Sequence, residues 1–402
     1  MADHTAPGEV DRGAGKKREA SVLLRWATHA LIIGLLLLVP VAKAAKASGW
    51  LPPFGGCPSY PMPTYIPMWS IIDPGNGDYF ECFVGAPPVG ASTTSVLTPL
   101  IPVIVRLHES DGSVIVNDPT QPLRVNPTKN PSLSAFDVTA ASPIFATHDY
   151  TLGPTKLGTL QWGEMTERAS FWNYPGVKAD KWSVQLALWP LSPPVTLDVP
   201  AGSWGPIQGV AGAYGVAQQV LGDFVQKHAK ETPEVLPIFL FYNIGAYGQN
   251  DSCCAYGEHE PYVANGFTSF YIWASYLDPP FTRTDVLPLS HEVAEFMHDP
   301  FLTNLVRSFP APGSFPLPWN PRYPFTSCAG KLEVGDAVND RQESAFQMSI
   351  DTSLMTYHVQ NIATASWFLQ ASPSFSVNGW YTLKGAIDGE FKGTAPLCVS
   401  AG

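Results

Sequence analysis

The chain has 402 residues, with 34 acidic against 23 basic side chains, only 14% charged residues, 40 prolines and 34 glycines. Its acidic balance, with no basic stripe interleaved with aromatics, speaks against nucleic-acid binding. An apolar share of 45% is enough for a large core, and the proline and glycine load suits a loop-rich extracellular protein.

Taken in chain order, the first feature is a basic leader, "GKKREASVLLRW", followed by the apolar run "ALIIGLLLLVPVA" (Ala30 to Ala42) and two small-x-small sites, Ala42-Lys43-Ala44 and Ala45-Lys46-Ala47. This order predicts a secretory signal peptide over residues 1–47. A retained membrane anchor is the competing reading, but an apolar run of this length rises only about 20 Å as a helix. Cleavage would remove seven basic and four acidic residues, leaving 16 and 30, a net charge of −14 and no membrane attachment. The predicted location is therefore outside the cytoplasm, extracellular or periplasmic. All six cysteines (Cys57, Cys82, Cys253, Cys254, Cys328 and Cys398) lie beyond the leader. Their even number predicts disulfide bonds. Cys57–Cys82 is the natural local pair, and Cys253 and Cys254 are expected to take different partners because a bond between neighbours strains the geometry. A thiolate zinc site is disfavoured, since no C-x-x-C pair occurs.

Residues 48–96 are rich in proline, glycine and aromatics without a sustained period and read as an irregular extension. From Leu97 to about Val199, short apolar runs such as "IPVIVRL", "SVIVN" and "SVQLALW" predict strands, with "LQWGEMTERASFW" a candidate helix. "VAQQVLGDFVQKHAK" carries Val216, Val220, Leu221, Phe224 and Val225 on one helical stripe. "LPIFLFYN" then reads as a strand buried on both faces, and "SFYIWASYL" as an edge-like strand. The helix "LSHEVAEFMHDPF" follows, with Asp285 as its expected N-cap, Pro288 in its first turn and Pro300 as its stop. The proline-rich stretch after it is expected to be a long loop, and "KLEVGD" and "GWYTLKG" strand-and-turn pieces. The fold class predicted is α+β.

The helix carries the chemistry. His291 and Glu295 stand four residues apart and point the same way, so both can reach one ion. Glu292 sits where a general base can act beside that ion. Asp299, Glu333, Asp336 and His259 are the candidates for completing the ligand set. The ordinary readings compete: a solvent-facing amphipathic helix, a loop histidine for His259, a Gly-Asp turn for Asp336, and a dipole-stabilised cation for His298. Zinc fits a set containing an imidazole; the carboxylates Glu295, Asp299, Glu333 and Asp336 would also suit calcium, against which His291 argues.

"SHEVAEFMHDP" with "LEVGD", "LGTLQWGEMTERASFW", "CCAYGEHEPY" and "TYHVQNIATASWF" resembles a group of secreted bacterial proteins with a helix of the type S-H-E-[IV]-A-E-x-x-x-D-P. A weaker similarity runs to the exordium-like secreted proteins of plants. The resemblance covers about 97–398 and implies a zincin-like metal domain. His291 stands at its first-ligand position and Glu292 at its base position, while Glu295 and Asp299 match the group's own acidic positions. It implies a metalloprotease-like zinc hydrolase acting on a peptide or protein. The alternative is a catalytically inactive binding protein of the cell envelope on the same fold, with a cell-wall or glycan partner.

Overall fold

Ile238–Tyr242 is apolar at every position because both of its faces are covered. In the computed structural model this strand (β4) lies inside a six-stranded sheet formed with Leu100–His108 (β1), Val114–Asn117 (β2), Val195–Val199 (β3), Gly257–Ala264 (β5) and Phe267–Tyr276 (β6). The structure describes residues 63–72, 80–128, 130–189, 192–248, 253–310, 328–339, 343–387 and 391–396, all within the unit Pro52–Gly402. The fold is α+β. β4 runs parallel to β1 and to β6, pairing Ile238 with Leu100 and with Ile272. β5 runs antiparallel to β6 and forms the sheet edge, with His259 opposite Ile272.

Because strand side chains alternate between faces, the sheet serves two cores. Ile238, Leu240, Ile272 and Ala274 face one, where they meet Leu289, Val293 and Phe296 of the helix Leu287–His298, called α3 below. Phe239, Phe241, Tyr271 and Trp273 face the other, against Leu221, Val225 and Ala229 of the helix Gln218–Ala229, α2. The earlier helix, Trp162–Ser170 (α1), is buried along its whole length and crosses α3 closely. A Cβ on Gly163 would stand 2.8 Å from Val293 Cγ1, so a glycine is required at this crossing. Trp162 Nε1 ties the pair by donating to the Ser290 carbonyl at 3.2 Å.

Several expectations need correction. "SFYIWASYL" is an interior strand, flanked by β5 and β4. The stretch read as an irregular extension contains the antiparallel strands Met68–Ile72 and Phe80–Val84, and also most of Ser92–Thr98. Trp69 and Phe83 there are fully buried in the main core: large aromatics supply core volume without the periodicity that announces a strand. The proline-rich stretch after α3 begins as strand Leu305–Pro310, paired only with Cys328–Lys331, an edge position that proline tolerates. Val286, not Asp285, holds the N-cap position of α3. Asp285 instead accepts from the Val286 N–H at 2.5 Å and from His358 Nδ1 at 2.7 Å, tethering the helix start to strand Thr356–Gln360. Cys253 and Cys254 are bonded to each other, across a cis peptide with Cα atoms 3.1 Å apart. Cys82 and Cys328 each belong to a disulfide as well. Cys57, Cys398 and the leader lie outside the described residues, and with them the expected Cys57–Cys82 pair. Among the described residues no helix is long and apolar enough to cross a membrane.

Candidate metal centre

Of the twelve residues of α3, all but His291 are buried, and His291 faces a cleft of about 180 Å³. Glu292, Asp336, Tyr256, Arg283 and Gln360 share that cleft. As the four-residue spacing predicts, His291 and Glu295 meet: Nε2 lies 3.1 Å from Glu295 Oε2. The same nitrogen lies 3.6 Å from Asp336 Oδ1 and 4.0 Å from Glu292 Oε1. One imidazole nitrogen therefore faces three carboxylates.

Backbone without side chains makes this crowding feasible. A Cβ on Gly335 would stand 2.5 Å from His291 Nδ1, and one on Gly257 would stand 2.6 Å from Glu292 Cγ. The "EVGD" turn also orients the second candidate ligand of the helix, because the N–H groups of Gly335 and Asp336 both donate to Glu295 Oε1 at 3.1 Å. Asp336 is the first residue of a short helix, Asp336–Asn339, rather than a turn residue alone. Glu333 lies within 4.8 Å of both Glu295 and His259 and so stands at the same centre.

His259 belongs here too. It is buried on β5, on the sheet face toward α3, with Nδ1 3.3 Å from Glu292 Oε2. Its Nε2 lies 3.2 Å from the Asp299 carbonyl. Reading it as a loop histidine missed the hairpin. The signal was present in Asn265-Gly266, both at positive φ, which closes a two-residue turn between β5 and β6.

The ligand atoms of His291, Glu292 and Glu295 lie within 4.8 Å of one another, and so do those of His259, Glu295 and Glu333. Asp299 is in neither group. Its Oδ1 accepts from the Thr303 and Asn304 N–H groups at 2.9 Å and so organises the turn after the helix. His298 is not a dipole-stabilised cation: it is fully buried, bonded through Nδ1 to the Ala294 carbonyl and through Nε2 to Ser170 Oγ.

The electrostatics follow from this placement. Burial pulls the His291 pKa down, but the charges of Glu295, Glu292 and Asp336 outweigh it and lift it to about 10. Burial pushes Glu295 up, yet the neighbouring His291 and His259 hold it at about 2. Glu333 is pushed well above the usual range by burial and by the carboxylates of Glu295 and Asp299. Burial likewise raises Asp299 to about 6 and lowers His298 to about 4.

No protein-family model, no curated protein and no solved structure matches the chain.

Proposed function

We propose that this chain is an exported, zinc-dependent hydrolase of zincin-like type, acting on a peptide or protein. The observation that carries the reading is the convergence of three carboxylates on His291 Nε2 at the wall of an open cleft. His291, Glu295 and Asp336 would hold the ion. A donor set that includes imidazole suits zinc better than calcium. The cradle fits as well, since Gly335 lets backbone approach the ring where any side chain would collide. Bound zinc would acidify water and polarise a carbonyl in the cleft.

The protein's own part is positioning and proton transfer. Glu292 lines the cleft beside His291 and would take a proton from water there and return it to the leaving amine. The Gly335 and Asp336 N–H groups hold Glu295 in place. Export is supported by the leader and by cysteines that are all paired among the described residues.

The test is the zinc content of the mature chain beside His291→Ala, followed by proteolysis of casein by wild type and Glu292→Gln. Bound zinc lost in His291→Ala is expected, with Glu292→Gln keeping zinc while activity falls by a factor on the order of 100 or more. No zinc in a folded wild-type chain would overturn the metal reading. Zinc without any Glu292-dependent turnover would leave a metal-binding protein, not a hydrolase.

A further inference from the structure

The ligands used so far are fewer than the groups present. Besides His291 and Glu295, the two ligand groups hold His259, Glu333 and Glu292, with Glu295 in both, while Asp336 joins through His291 Nε2 at 3.6 Å. Glu292 also faces both ways: Oε1 lies 4.0 Å from His291 Nε2 and Oε2 lies 3.3 Å from His259 Nδ1. The two histidines fall in different groups that meet only at Glu295, and these side chains together exceed the four positions of one tetrahedral zinc ion.

The hydrogen bonding of His259 supplies an independent pointer. The Asp299 carbonyl can only accept, so the contact at 3.2 Å requires the proton on His259 Nε2. A backbone carbonyl that fixes the remote ring nitrogen in this way is the usual support of a metal-ligating histidine. That leaves Nδ1, 3.3 Å from Glu292 Oε2, as the nitrogen facing the carboxylates, where a cation would take the place of a proton. Nearby, Asp299 Oδ2 is buried with no hydrogen-bond partner.

We infer that the centre takes two divalent cations, one at His291 with Asp336 and one at His259 with Glu333, with Glu295 shared between them. This rests on the metal reading above and extends it. Paired ions would let the site hold the attacking water oxygen and the carbonyl oxygen of the scissile peptide bond together. In this arrangement Glu292 is positioned between the two histidines and serves either ion.

The test is zinc stoichiometry by elemental analysis and calorimetric titration of the full mature chain, with His259→Gln and Glu333→Gln as separate variants. Manganese loading with electron paramagnetic resonance gives a second readout. Two zinc ions per chain are expected, falling to one in either variant, together with a coupled two-manganese spectrum that becomes that of an isolated ion in His259→Gln. One zinc in wild type that His259→Gln and Glu333→Gln leave in place, but His291→Ala removes, would overturn the second site and spare the first. No zinc at all would overturn both. If His259→Gln fails to fold, Glu333→Gln and the wild-type spectrum still decide the question.

Discussion

α3 carries two histidines seven residues apart, and they have opposite characters. Surrounding carboxylates lift His291 to about 10, whereas burial lowers His298 to about 4. Their helix is the same and both are shielded by protein; the partners differ. Carboxylates surround the first, while a carbonyl and a hydroxyl meet the second. One end of the helix is built for charge and the other for packing. Buried alone, an imidazole gives up its proton; only nearby negative charge reverses that outcome.

The largest effect that would test this contrast is acid destabilisation through His298. Its folded value lies below the ordinary 6.5, so the unfolded chain takes up a proton first as the pH falls. Stability from this residue is complete above about pH 6.5, declines from there towards pH 4, and changes no further below that. The loss amounts to roughly 3 kcal/mol over the window. Urea unfolding of wild type and His298→Gln at pH 7.5 and 4.5 checks it: the variant should show a clearly flatter dependence. Parallel curves would mean that His298 is not held neutral.

The contrast also marks what the sequence could reveal. The approach of His291 to Glu295 was legible because a helix converts a four-residue spacing directly into contact. Strand runs such as Ile238–Tyr242 were legible because uninterrupted apolar residues imply two covered faces. His259 was not, since its meeting with Glu292 depends on sheet register and on how α3 lies across it. His298 was misjudged for a related reason: Ser170, which makes it a core residue, comes from a helix 128 positions earlier. Asp336 was ambiguous because a Gly-Asp pair makes an ordinary turn as readily as a ligand, and only the packing of Gly335 on the His291 ring brings its carboxylate to that histidine.

Next in size is Gly335→Ala, which attacks the charged end alone. The added Cβ would stand 2.5 Å from His291 Nδ1 and must displace either the ring or the turn that holds Glu295. Zinc affinity should fall by about 10–100-fold, the range seen when groups supporting metal ligands are altered. The dependence on pH that His298 contributes between 4 and 6.5 should keep its shape. Competition with a zinc chelator of known affinity measures the first effect. Unchanged affinity would show that His291 is not a ligand in the position described.

The smallest effect comes from the packed end. Ser170→Ala removes the hydroxyl that meets His298 Nε2 at 2.9 Å and leaves that nitrogen buried. The ring proton is on Nδ1, committed to the Ala294 carbonyl, so Nε2 is the acceptor and Ser170 the donor. Losing one such donor should cost about 1–3 kcal/mol, because the orphaned acceptor keeps its desolvation penalty. Zinc affinity should not change, for Ser170 lies on the α1 side and touches none of the candidate ligands. Denaturant unfolding beside chelator competition separates the two readouts. A loss of zinc affinity on Ser170→Ala would mean that the two ends of α3 move together, and that packing around His298 sets the geometry at His291.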